Sequence, residues 1–239
     1  MATTATVKSG ARDRHVYTWA AVFIPIIVLI GFARSYYLKG LFHTPALPGM
    51  LVHLHGAVMT CWVVLFVLQV SLVATRRTRV HQRLGVAAAV VAALVVVVGI
   101  ATAISSTQRN AAAGPGALQF LAVPLGDMLV FAVLVGTALY FRRRPEIHKR
   151  LMLVAALSLL SAAIARIPLH FIAVGGPLVF LGLTDLSVLV CVVVDTARNR
   201  KLHRAFLWST LLLIASQALR LAVAGTDAWM RVAAWLIGR

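Results

Sequence analysis

Acidic residues are nearly absent. The 239-residue chain has six Asp and Glu against 23 Lys and Arg, and charged residues make up only 12% of it. A soluble domain of this length carries about twice that fraction, which excludes a soluble globular fold. Cysteine is scarce as well: Cys61 and Cys191 are the two present. Both lie inside apolar runs, so a disulfide framework is not supported. Missing too are a Gly-rich phosphate loop, zinc-type Cys/His spacing, a His-Glu-x-x-His helix and a nucleophile elbow. What abounds is apolar: hydrophobic residues make up 61% of the chain and the mean hydropathy is +0.93. Disorder is excluded with solubility. The composition describes an all-α, polytopic integral membrane protein.

Seven apolar segments are long enough to cross a hydrocarbon core of about 30 Å, which takes roughly 17–25 residues each. They run approximately 16–34, 51–75, 84–105, 118–141, 149–167, 177–196 and 204–224. The first follows three basic residues, yet it has 18 uncharged residues from Val16 to Ala33 and no small-residue cleavage site. It reads as a signal anchor. Pro and Gly punctuate the connections at 43–49, 114–116 and 168–177, where they stop one helix and pre-set the next. The tail 228–238, with Trp229 and Trp235, is too short to span and is expected at the membrane interface. The chain is expected to be one transmembrane domain, a leading helix followed by three hairpins.

The basic residues are not spread evenly. Sixteen of the 23 fall in four clusters: Lys8, Arg12 and Arg14; Arg76, Arg77, Arg79 and Arg83; Arg142, Arg143, Arg144, Lys149 and Arg150; Arg198, Arg200, Lys201 and Arg204. Each borders an apolar run, as cytoplasmic loops do under the positive-inside rule. A lipid-headgroup surface is therefore expected and a nucleic-acid partner is not. The pattern places the N-terminus in the cytoplasm and the C-terminus outside.

An internal repeat links the last two hairpins. Asp127, His148, Ser161 and Arg166 in one correspond to Asp185, His203, Ser216 and Arg220 in the other, with Asp-to-His spacings of 21 and 18 residues. Helices two and three follow the plan more loosely, with His55-Gly56, a basic loop and His81.

Ionisable groups at membrane depth need a partner or a function. The outer half is expected to gather a polar cluster of His53, Asp127, Arg166, Asp185, Gln217 and Arg220, with His55 and His170 beside it. Two readings stay open: a lattice of ion pairs tying each Asp to an Arg of a neighbouring hairpin, or a ligand site. His53 and His55 are 200° apart on a helix, so His55 is the one expected to look into the bundle. It heads a stripe of Met59, Trp62, Phe66 and Gln69 that suits either helix packing or the edge of a flat cofactor, and Gly56 beside it permits a close approach. On the inner side His81, His148 and His203 stand at helix starts beside Arg or Lys.

The run His55-Gly56, Gln69, Arg77-x-Arg79-x-His81-x-Arg83-Leu84-Gly85, with Pro145-x-x-His148-x-Arg150-x-Met152 and Arg166, resembles an uncharacterised family of bacterial predicted membrane proteins over residues 50–170. That family shows H-G, Q, R-x-R-x-x-H-R-R-L-G, H-R-x-M and a distal R. This chain departs from it at Gln82, where a second Arg is usual, and at Val80. The family implies no activity but implies a bacterial inner (plasma) membrane location. Its layout of helix-end histidines is loosely similar to transmembrane di-haem b-type cytochromes. The similarity implies an outer haem ligated by His55 with His170 and an inner one ligated by His81 with His148. His148 and His170 are 22 residues apart, about 33 Å of helix, and Pro168 intervenes, which limits the expectation to one haem. Three functions follow as expectations. The first is a redox protein holding haem b or a metal ion at the outward-facing cluster. The second is a transporter or receptor of a small molecule at the Asp/Arg set, and the third an assembly subunit with a membrane or periplasmic protein partner.

Overall fold

The computed structural model describes the backbone of residues 3–238 and the side chains of residues 16–238, so the side chains of the N-terminal cluster Lys8, Arg12 and Arg14 lie outside the described residues. The chain is helical almost throughout, with no strand among the described residues. Helix α1 (Thr3–Phe32) runs into a π-helical turn (Ala33–Tyr37). There follow α2 (Met50–Ala74), α3 (Thr78–Asn110), α4 (Gly116–Phe120), α5 (Ala122–Tyr140), α6 (Pro145–Ser158), α7 (Leu160–Ile164), α8 (His170–Asn199), α9 (Arg204–Val223) and α10 (Asp227–Leu236). Seven spans are long and apolar enough to cross a membrane, α4 joining α5 and α6 joining α7 as single spans. The protein is an all-α polytopic membrane protein.

Neighbour relations close into a ring: α1 packs on α2, α2 on α3, α3 on α5, α5 on α9, α9 on α8 and α8 on α1. The α6–α7 span sits within this ring, against α5, α9, α8 and α1. Its apolar window is 72% buried, far more than any other span. Small residues make this possible. Ala155, Ala156, Ser158, Ser161 and Ala163 are all buried, and side chains of that size let backbones approach closely. A Cβ added at Gly31 of α1 would come to 2.2 Å from the Ala163 carbonyl oxygen, so that contact admits only glycine. Lipid-facing positions are apolar and exposed instead, as Val86, Val90 and Val97 on α3 are.

Two spans extend back into the basic connections, earlier than the apolar runs suggest. Helix α3 starts at Thr78 and not 84, and α6 at Pro145 and not 149. Arg and Lys are good helix formers whose stems snorkel to the interface, so the basic connections shrink to 75–77 and 141–144. At 33 residues α3 is about 50 Å long and projects past the hydrocarbon core. Helix α8 begins at His170, bends at Gly176 (φ 54°, ψ −141°) and resumes at Pro177. A backbone of that kind is open only to glycine. The tail forms α10, capped by Thr226, whose Oγ1 accepts from the Trp229 N–H at 3.3 Å. Trp229 Nε1 donates to the Leu118 carbonyl at 2.9 Å, and Ala233 and Ile237 bury against Leu121 and Ala111.

Candidate functional site

Three polar centres lie inside or at the rim of the bundle. The first is near the end opposite the basic loops. Asp127 of α5 meets Arg220 of α9 at 2.5 Å between Oδ1 and Nη1, and Ser161 Oγ of α7 donates to its Oδ2 at 2.7 Å. Arg220 Nη1 also donates to the Val123 carbonyl at 3.0 Å, Nε to the Ser216 carbonyl at 3.2 Å and Nη2 to Ser216 Oγ at 2.8 Å. Gly126 makes room for the guanidinium: a Cβ there would stand 2.7 Å from Arg220 Nε. With its donors and the carboxylate this well partnered, the pair is the kind of buried ion pair whose desolvation cost is offset by geometry.

Of the expected lattice, half is present. Asp185 of α8 lies beside Gln217 of α9 and within electrostatic reach of Arg220, not against Arg166. Arg166 is exposed. Its Nη1 donates to the Ala162 carbonyl at 2.7 Å and its guanidinium stacks 4.8 Å from the centre of the Phe32 ring. An aromatic face satisfies it where no carboxylate is at hand.

The second centre was not expected at all. Arg150, placed by its sequence neighbours in a basic loop, is 2% exposed and donates from Nε and Nη2 to both oxygens of Asp195 at 2.9–3.0 Å. Its Nη1 reaches Glu146 Oε2 at 2.7 Å, and Lys149 joins Glu146 at 2.8 Å. Asp195 is 1% exposed. This bidentate fork ties the central span to α8. Two signals pointed to it: Asp195 is one of only six acidic residues and stands in an apolar run, and Glu146 precedes Arg150 by one helical turn.

The third centre is a histidine pair at the basic end. His81 of α3 and His148 of α6, both half-buried, face each other with ring centroids 6.4 Å apart and planes at 79°. His148 Nδ1 lies 2.8 Å from the Ala138 carbonyl, so it carries the proton and donates, leaving Nε2 with a lone pair. The Gln69 amide nitrogen donates to His81 Nδ1 and to the His81 carbonyl at 3.2 Å, and its oxygen accepts from the Gly85 N–H at 3.0 Å. His203, the third helix-start histidine, does something different. Its Nδ1 accepts from the Ala205 N–H at 3.1 Å and caps α9, and burial together with the nearby Arg150 guanidinium holds its pKa below the ordinary imidazole value.

The outer histidines are not drawn together by any hydrogen bond or ring contact among the described residues. His55 is half-buried near Arg166, His53 is exposed with its ring 6.3 Å from Tyr36, and His170 is exposed at the start of α8. The stripe beside His55 turns out to be packing: Trp62 and Phe66 are buried, and Trp62 meets Phe131 edge-on at 5.0 Å. The flat group beside Gly56 is the ring of Tyr36, which an added Cβ would overlap. Comparison with family models, curated proteins and solved structures yields no match.

Proposed function

We propose that this is an integral redox protein of the bacterial inner membrane, with its basic end in the cytoplasm, that holds one haem b through His81 and His148. The closeness of these two imidazoles and the angle between their planes carry the reading. Two metal–nitrogen bonds of about 2.0–2.1 Å plus a ring half-width of about 1.1 Å on each side separate two axial imidazole centres by roughly 6.3 Å, close to the 6.4 Å observed. His148 Nδ1 donates to the Ala138 carbonyl, the arrangement by which an outer partner orients a ligating histidine. For His81 to offer Nε2, its proton must move to Nδ1 and the Gln69 amide must turn its oxygen to it, giving up the bonds to the His81 carbonyl and the Gly85 N–H.

The donor set favours a porphyrin over a bare ion. Zinc takes three or four protein ligands, and no group of three or more His, Cys, Asp or Glu that could hold a metal occurs among the described residues. A porphyrin brings its own four nitrogens and asks the protein for two. Its propionates are anionic, and Arg77 and Arg142–Arg144 stand exposed in the adjoining connections, with Arg79 and Arg83 exposed on the first turns of α3. Bound there, haem supplies one-electron redox chemistry; the chain supplies axial ligands, their orientation and a cationic rim.

Haem content tests this. Purified wild type is expected to carry about one haem per chain by pyridine extraction. His81→Ala and His148→Ala are expected to lose nearly all of it, and His55→Ala and His170→Ala to retain it. Wild-type protein without haem, or loss confined to the His55 and His170 variants, overturns the proposal.

A further inference from the structure

A second feature runs along the seam between α8 and α9. Among the described residues, the buried side-chain polar atoms without a hydrogen-bond partner include Asp185 Oδ1 and Thr196 Oγ1 on α8, and Thr210 Oγ1 and Gln217 Nε2 on α9. Positions 185 and 196 are three helical turns apart and 210 and 217 two, so each helix presents its pair on one face. The two helices are antiparallel neighbours. Measured from the basic end at about 1.5 Å per residue, Thr196 and Thr210 lie roughly 5 and 9 Å in, and Gln217 and Asp185 roughly 20 and 21 Å in. Asp185 and Gln217 lie against each other at a depth where polar groups are costly, and the two threonines continue the same helix faces toward the basic end.

Charge decides what the column takes. Arg220 is committed to Asp127, Ser216 and the Val123 carbonyl, so Asp185 is the one carboxylate of this region without a cation of its own. Apart from Arg220 of α9, and Asp127 of α5 behind it, the titratable groups of the elements packed on α8 are remote, Arg204 standing at the basic start of α9. Helix α7 has none, and Glu146, His148, Lys149 and Arg150 of α6 stand at the basic end with Asp195 and His203. From α1 and its π turn, the described Tyr17 and Arg34, Tyr36 and Tyr37 lie at the two ends of that span. Between the outer and inner orphans stand Val188 and Leu213, both fully buried.

We propose that the α8–α9 seam carries protons, with Asp185 and Gln217 as the proton-accepting site and the Val188–Leu213 layer as a dry constriction that opens by wetting. One proton from water at either end joins the Asp185 carboxylate to give the neutral acid, and leaves to water at the other. The transmembrane potential or pH difference drives it, and no other reactant is needed. Gln217 Nε2 and the threonine hydroxyls order the water that carries the proton.

The test uses full-length protein in liposomes of neutral lipid with a pH-sensitive dye inside and a potassium diffusion potential set by valinomycin. Wild type is expected to admit protons at least tenfold faster than protein-free vesicles. Asp185→Asn should fall to within about twofold of them, and Asp185→Glu should restore most of the flux. Thr210→Val, a near-isosteric change at a hydroxyl that makes no hydrogen bond, should slow entry about fivefold and serves if Asp185→Asn does not insert. Wild-type vesicles no leakier than empty ones, or Asp185→Asn or Thr210→Val conducting like wild type, overturn the proposal. Haem content, read on the same samples, stands or falls separately.

Discussion

Arg150 shows how a residue's sequence neighbours can mislead about its surroundings. It follows Arg142, Arg143, Arg144 and Lys149 and shares their charge, but α6 has already made a full turn by position 150 and points it inward to Asp195. Asp127 and Arg220 were legible as intramembrane charges because each interrupts an apolar run. Arg166, equally conspicuous, was assigned a carboxylate where the fold gives it the Phe32 ring: a run of sequence shows that a charge needs a partner and not which one. Breaking the hidden pair is expected to be expensive. Arg150→Met leaves Asp195 buried and unpaired and should cost about 3–5 kcal/mol, while Arg150→Met with Asp195→Leu should recover most of that. Thermal unfolding of the three proteins in detergent checks it, and a double variant no more stable than the single would refute the pairing as the source of the loss.

At the scale of elements, the long apolar runs located all seven spans, and their errors fall at the ends. Helix starts that run through Arg, Lys and His are invisible to hydropathy, because those side chains favour helix while their charges mark the segment as loop. His203 belongs to this class: it reads as an anchor at the headgroups and acts as the cap of α9. As a neutral imidazole it accepts the Ala205 N–H; protonated, it has no acceptor to offer. Its native pKa is below that of the unfolded chain, about 6.5, so the unfolded state takes up the proton first. The cap's contribution, about 1 kcal/mol, is therefore complete above pH 6.5 and is lost as pH falls through the lower native value. Melting temperatures at pH 7.5 and 5.0 should differ more for wild type than for His203→Asn, which caps without titrating. Equal shifts in both proteins would assign the pH effect to other groups.

For the whole molecule, the architecture of spans and the uneven distribution of Lys and Arg were legible from composition, whereas the ring of six spans around α6–α7 was not. Helix packing order depends on which small-residue faces meet, as Gly31 and Ala163 do, and every span is rich in such residues. On the proposed orientation the seven spans leave the chain ends on opposite sides and the positive-inside rule puts the basic end inside. Reporter fusions at Arg239 and within residues 198–204 should therefore report opposite sides of the membrane. Two cytoplasmic signals would mean that one of the seven helices does not cross.

The paired imidazoles carry the functional account, and their geometry leaves a signature in the electronic state of a bound iron. Two nitrogen ligands on opposite sides of ferric haem give a low-spin centre, and imidazole planes near the 79° seen between His81 and His148 make that centre strongly anisotropic. Low-temperature electron paramagnetic resonance of the oxidised, purified protein is the most direct measurement. The account predicts a low-spin ferric signal with one large, isolated g value in wild type, absent from His148→Ala. A high-spin signal, the rhombic low-spin pattern of parallel imidazoles, or no haem signal at all would contradict it.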